Sequence, residues 1–97
     1  MSTSTFGLLD AFDLQPGAVT DDGTRTFTAR HQVIPSARAY GGEVVAQAVT
    51  AVSTTVGADK AIHSFHGYFL RPGDVNEPTT WTVDLTRDGR GFSARAV

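Results

Sequence analysis

Two kinds of apolar spacing divide this chain into elements. Near the amino terminus Phe6, Leu9 and Phe12, joined by Leu8, recur at helical spacing behind Ser4 and Thr5, either of which can cap. Pro16-Gly17 ends that short helix. Asp21-Asp22-Gly23 reads as a turn, and the alternating, Thr- and Phe-containing stretch Arg25 to Val33 predicts a strand. Pro35 closes it, and Ser36 to Ala39 reads as a loop. Tyr40 to Val56 contains no proline, and Val45, Val49, Val52 and Val56 form one apolar stripe of a long helix. Ala46, Ala48 and Ala51 keep that helix thin enough to lie close against a curved sheet, and Gly57 stands where a left-handed cap belongs. Valine is a modest helix former, so tertiary packing has to hold this helix.

Beyond the helix the spacing changes again. Ala61 to Leu70 is too aromatic and too short for a helix and predicts a strand, stopped by Arg71-Pro72-Gly73. Trp81 to Arg87 and Arg90 to Val97 predict a hairpin around Asp88-Gly89. That register sets Leu85 opposite Phe92, Val83 opposite Ala94 and Trp81 opposite Ala96, all on one apolar face. Asp84 with Ser93 and Thr82 with Arg95 then make the wet face. Short helix, strand, long helix and three strands make an α+β chain.

Composition narrows the function classes. Ninety-seven residues allow one small domain. A net charge of −2 argues against nucleic acid as a partner. The absence of cysteine removes disulfides, a thiolate nucleophile and cysteine zinc sites, and suits the cytoplasm. No apolar run reaches membrane-spanning length, and the amino terminus lacks the features of a signal peptide.

Several residues could carry chemistry. Gly41-Gly42 opens the long helix. Either it lets a carbonyl approach free backbone N–H groups, where the helix dipole would stabilise an oxyanion, or it permits close contact with a strand. Glu43 follows in the first helical turn, where a carboxylate suits the dipole and could also serve as a base. Gln47 shares its face and could bond Glu43 or a ligand, or be solvated. His63 and His66, three apart on the predicted strand, point to opposite faces and cannot share a metal; no metal site is expected. His31 has no motif around it, and no Ser-His-Asp arrangement is legible. Arg71, Arg87, Arg90 and Arg95 lie in the last third of the chain, either as a solvated face or as partners for phosphate.

Three segments, YGGEVVAQAV (Tyr40 to Val49), IHSFHGYFLRPGD (Ile62 to Asp74) and RDGRGFSARAV (Arg87 to Val97), stand in an order that resembles the amino-terminal half of the type II acyl-CoA thioesterases. The resemblance runs from about Phe6 to the last residue. It implies a hotdog fold, an antiparallel sheet wrapped round a long helix, with residues 1–97 as the amino-terminal part of a first hotdog that is incomplete at its carboxyl end. It implies hydrolysis of acyl-CoA without a cofactor, with Glu43 as the catalytic candidate and Gly41, Gly42, His63 and Arg71 at the substrate. The family usually has Gln where this chain has Glu43, and keeps its working Asp, Thr and Gln in the second hotdog. The isolated chain is therefore expected to turn over poorly. Alternatives are a non-catalytic half that supports a catalytic one, and a hotdog enoyl-CoA hydratase. A homo-oligomer or pairing with a second hotdog half is expected to cover the edge of the strand Arg90 to Val97.

Overall fold

The structure, a computed structural model, describes residues 7–33, 35, 38–71 and 73–97. The proposed caps Ser4 and Thr5, the apolar Phe6, Ser36 and Pro72 lie outside the described residues. The elements are α1 (Leu8–Ala11), β1 (Gln15–Val19), β2 (Arg25–Ala29), α2 (Gly41–Ser53), β3 (Thr79–Asp88) and β4 (Ser93–Ala96). The four strands form one antiparallel sheet in the order β1-β2-β3-β4, and α2 connects its two central strands and lies against it. This is the α+β, hotdog-type arrangement. Phe27, Ala51 and Val83 form the core, with Leu14, Val52, Trp81 and Leu85 packed on it.

The long helix turns a different face inward from the valine stripe. Its buried row is Glu43, Gln47 and Ala51, with Ala48 alongside and Thr55 beyond the end. Val45, Val49 and Val56 are half-buried, and of the four valines Val52 joins the core. The small alanines take the line of closest approach, and the two polar side chains on that line find partners. Hydropathy alone scores those positions as surface. The helix also stops early, at Ser53, with Thr54 as its cap in right-handed conformation. Hydroxyls of Thr54 and Thr55 take the carbonyls of Ala51 and Val52, at 2.8 and 2.7 Å, that a continuing helix would use. Gly57 is not in the left-handed region and does not act as the cap.

β1 is a strand where a helix stop was expected. Its five residues are all exposed, so no apolar alternation marks it. Pro16 is tolerated because β1 is an edge strand. A side chain at Gly17 would lie 2.5 Å from Thr26 Oγ1, so the close approach of β2 requires glycine there. The turn at Asp21-Asp22-Gly23 forms as expected: Thr20 and Thr24 pair across it, and Asp22 accepts from the Thr20 hydroxyl and from the Thr24 N–H at 3.0 Å. Those bonds hold the Asp22 carboxyl down to about 2. In α1 Ala11 is buried, while Leu9 is exposed, contrary to the expected stripe.

Two further expectations are corrected. The Asp88-Gly89 turn requires positive φ at both central residues, and among the described glycines Gly23 has it. The chain instead reverses over Gly89 to Phe92, closed by the Gly89 N–H on the Phe92 carbonyl at 2.8 Å. The register becomes Asp84 with Ala96, Arg87 with Ala94 and Asp88 with Ser93, with an irregularity between Asp84 and Arg87. Trp81, Val83 and Leu85 still face inward, but β4 presents Ser93 and Arg95 to that side, and Phe92 is 73% exposed. Arg95 is half-buried with its side chain covered, and it binds the Thr55 hydroxyl and carbonyl at 2.8 and 2.9 Å and Asp88 at 2.8 Å. Its hydrogen bond holds the Asp88 carboxyl below the usual range.

Second, Ala61 to Leu70 is not a strand. It forms no ladder with any described strand, and its residues are exposed. A strand needs a partner edge, and among the described residues the contacts at this segment are made by side chains. Lys60 Nζ donates to Gly89 O and Ser93 Oγ, both at 2.7 Å, and the His63 ring meets Phe92 edge-on.

Candidate functional site

The last ladder pair between β2 and β3 joins Ala29 to Thr79. Two residues later His31 leaves the sheet beside Thr79, with its Nε2 2.5 Å from Thr79 Oγ1. Its Nδ1 lies 2.8 Å from Glu43 Oε1 in the first turn of α2. Glu43 Oε2 accepts the Gln32 N–H at 3.4 Å. His31 is 4% exposed and Glu43 3%, so neither can be left unpartnered.

One turn on, Gln47 is wholly buried. Its amide donates to the carbonyls of Ala11 and Arg30, each at 2.9 Å, and its oxygen accepts the Trp81 indole N–H at 3.1 Å. Every polar atom of that side chain is thereby engaged, and the bonds tie α1, the end of β2 and β3 to α2. Gln47 is thus neither solvated nor bonded to Glu43.

A cleft of about 430 Å³ opens beside this network. Val44, Phe69, Leu70 and Trp81 supply apolar walls, and His31, Thr79 and Arg71 its polar groups. Gly41 faces the Phe69 ring, which a side chain there would meet at 3.6 Å. A side chain at Gly42 would collide with the Tyr40 ring at 2.6 Å. Tyr40 caps α2 without a side-chain hydrogen bond, so the first-turn amides have no side-chain acceptor from their cap residue.

The site residues read from the sequence thus divide. Arg71 lines the cleft and Gly41 lies against one of its walls. Glu43 stands behind it, bonded to a residue that lines it. His63 is not among the lining residues; its ring lies 5.9 Å from that of Phe92. His66 instead lies against Tyr68. Sequence reasoning missed His31 and Thr79. The available signal was two long polar residues, Glu43 and Gln47, four apart and therefore on one face of a helix rich in alanine and valine, which calls for a polar partner across the sheet. Among the described residues no cluster of three or more metal-binding side chains occurs, and no helix is long and apolar enough to cross a membrane.

Comparison with known proteins places this geometry in context. The model of the acyl-CoA thioesterase N-terminal domain family matches residues 30–97. The chain is 42% identical over 71 residues to acyl-coenzyme A thioesterase 8 of Homo sapiens, a match covering 73% of this chain and 22% of that protein. It is 43% identical over 72 residues to acyl-coenzyme A thioesterase 8 of Rattus norvegicus, covering 73% of this chain and 22% of that protein. With acyl-CoA thioesterase 2 of Haemophilus influenzae the identity is 41% over 71 residues, covering 73% of this chain and 25% of that protein. The matches thus cover 22–25% of the length of these relatives.

Proposed function

Because this chain belongs to the acyl-CoA thioesterase N-terminal domain family, we propose that the polypeptide carrying it hydrolyses acyl-coenzyme A to a fatty acid and free coenzyme A. The observation that carries this reading is the cleft beside the amino end of α2. Its Val44, Phe69, Leu70 and Trp81 walls suit an acyl chain, and Arg71 suits a phosphate of coenzyme A. The thioester carbonyl sits toward Gly41 and Gly42, whose amides can polarise it. His63 belongs to the outer, coenzyme-facing part of the site. Glu43 serves the reaction as a positioning residue, through the His31 it holds.

The chain forms the amino-terminal part of a first hotdog and works with a second hotdog half. The exposed apolar residues Ile62, Tyr68, Phe69 and Leu70 support that pairing, or an equivalent contact in a homo-oligomer. The protein acts in cytoplasmic lipid metabolism, a setting in keeping with a chain without cysteine. A second reading, a supporting half without chemistry of its own, draws on the burial of Glu43 behind the cleft.

The test is release of free thiol from short and long acyl-CoA esters by the intact polypeptide. Turnover within about 1–10³ per second is expected, with Arg71→Ala raising KM more than it lowers kcat. No thiol release from any chain length overturns the thioesterase reading. Unchanged turnover when the cleft is blocked by Val44→Trp favours the supporting half.

A further inference from the structure

The cleft beside α2 has an inner end, and one side chain forms it. On the inner face of β3, Thr79 and Trp81 border the cleft, while the next residue on that face, Val83, is fully buried in the core. On α2, Val44 borders it, while Gln47 and Ala48 are buried behind. Trp81 is the lining residue that also packs on the core of Phe27, Ala51 and Val83. The indole thus stands where open space stops and the packed interior begins. Resting on the thioester-hydrolase reading, we propose that Trp81, locked in place by Gln47, is the end wall of the acyl cleft and sets how well long acyl chains are accepted.

The lock follows from the groups that meet. The carbonyls of Ala11 and Arg30 can only accept, so the Gln47 amide nitrogen turns to them and uses its hydrogens there, each bond at 2.9 Å. That leaves Gln47 Oε1 facing Trp81, whose indole N–H donates to it at 3.1 Å. Gln47 is fully buried, so turning the indole away would strand its oxygen with no water to take over the bond. An indole swung aside would also leave the core on which it packs. The opposite walls differ. Phe69 and Leu70 are 67% and 91% exposed, on a segment that forms no ladder with any described strand. Trp81 is therefore the fixed wall of the cleft, and Phe69 and Leu70 border its open side.

The geometry also gives a direction. With the thioester carbonyl toward Gly41 and Gly42, the acyl chain runs along α2 past Val44 to the level of Gln47. From the helical rise, that level lies about 9 Å along the axis from Gly41. An acyl chain that fills this distance ends against the indole with its methyl group buried. A longer one must turn out past Phe69 and Leu70, so its added methylenes stay in contact with water and contribute little. This role needs no catalytic group in the amino-terminal half, since the wall acts on the acyl chain and not on the thioester.

The test is the ratio of kcat/KM for palmitoyl-CoA to that for octanoyl-CoA, measured by thiol release with the intact polypeptide. Trp81→Leu, which shortens the wall and keeps it apolar, should raise that ratio by about tenfold. Trp81→Phe, which gives up the N–H and part of the ring area, should raise it by less. Val44→Phe, which narrows the cleft nearer to Gly41, should lower it. A tryptophan needed only for core packing would behave differently, because its loss would lower activity on both esters alike. The thermal melt of each variant checks folding, and Trp81→Phe keeps the test decisive if Trp81→Leu does not fold.

A ratio unchanged or lowered in the folded Trp81 variants overturns the end wall. A ratio that does not fall in Val44→Phe overturns the path along α2 on which the wall depends, and the wall with it. With octanoyl-CoA still hydrolysed, either result leaves the thioesterase reading standing. Absence of thiol release from every ester by the unaltered polypeptide overturns that reading and the end wall together.

Discussion

The two ends of α2 rest on the same sheet through opposite chemistry. At the carboxyl end, Ala51 and Val52 meet Phe27 and Val83, a contact with no directional requirement. At the amino end, Glu43 and Gln47 meet His31, Trp81 and two backbone carbonyls through bonds of 2.8–3.1 Å. The apolar end loses stability in proportion to the area removed from water. The polar end contributes little net energy while intact but is costly to break, because each lost partner strands another buried group. It also fixes which residues face each other. A helix held only by its alanines and valines could slide or turn, whereas one pinned at Glu43 and Gln47 cannot.

The strongest way to break this contrast is to remove one partner of the buried pair. His31→Ala, which strands the buried Glu43 carboxylate, should destabilise the fold by about 3–5 kcal/mol in urea unfolding, and Glu43→Ala, which leaves a buried imidazole N–H unpaired, by about 1–3 kcal/mol. Replacing both, as in His31→Phe with Glu43→Met, should cost clearly less than the two single losses added. Additive losses would mean that the pair is not coupled.

Next in size is Gln47→Ala, which strands the Ala11 and Arg30 carbonyls and the Trp81 N–H. A loss of about 3 kcal/mol is expected, with a change in Trp81 fluorescence that marks the broken bond. Gln47→Met, which keeps the volume but not the bonds, should recover little. Full recovery would show that packing, not hydrogen bonding, holds this end.

At the other end, Val83→Ala removes a fully buried side chain from the apolar contact. About 2 kcal/mol is expected, with Trp81 fluorescence and the amino-end bonds unchanged. A matching change in Trp81 would show that the two ends are one cooperative unit.

The smallest effect lies outside both ends, in the turn between β1 and β2. Asp22 has its carboxyl held down to about 2 by Thr20 and Thr24, against 3.8 for a free group. The folded value is the lower one, so the contribution is present above the unfolded value and is lost as the pH falls from about 3.8 toward 2. Asp22→Asn should lower Tm slightly at neutral pH, and that difference should vanish near pH 2. A difference that persists there would point to the loss of turn geometry rather than of charge.

Several elements were legible from local pattern alone. The long proline-free run announced α2, Asp21-Asp22-Gly23 announced its turn, and the alternation of Trp81, Val83 and Leu85 gave the inward face of β3. The density of the segments around Gly41-Gly42 and Arg71-Pro72-Gly73 was enough for the family. These features rest on neighbouring residues, whose propensities and spacing act wherever the rest of the chain lies.

What the sequence could not decide was the identity of partners across space. β1 has no apolar alternation because all its residues are exposed, and it exists because β2 offers an edge. The register of β4 turned on how Gly89 approaches the Phe92 carbonyl, a contact that a two-residue turn rule does not see. Ala61 to Leu70 has strand composition, but it forms no ladder with any described strand. Hydropathy scores Glu43 and Gln47 as surface positions, because it rates a side chain without asking what stands opposite. In the fold, His31, Trp81 and the Arg30 carbonyl stand opposite, and burial of a polar group is decided by its partner rather than by its own preference for water.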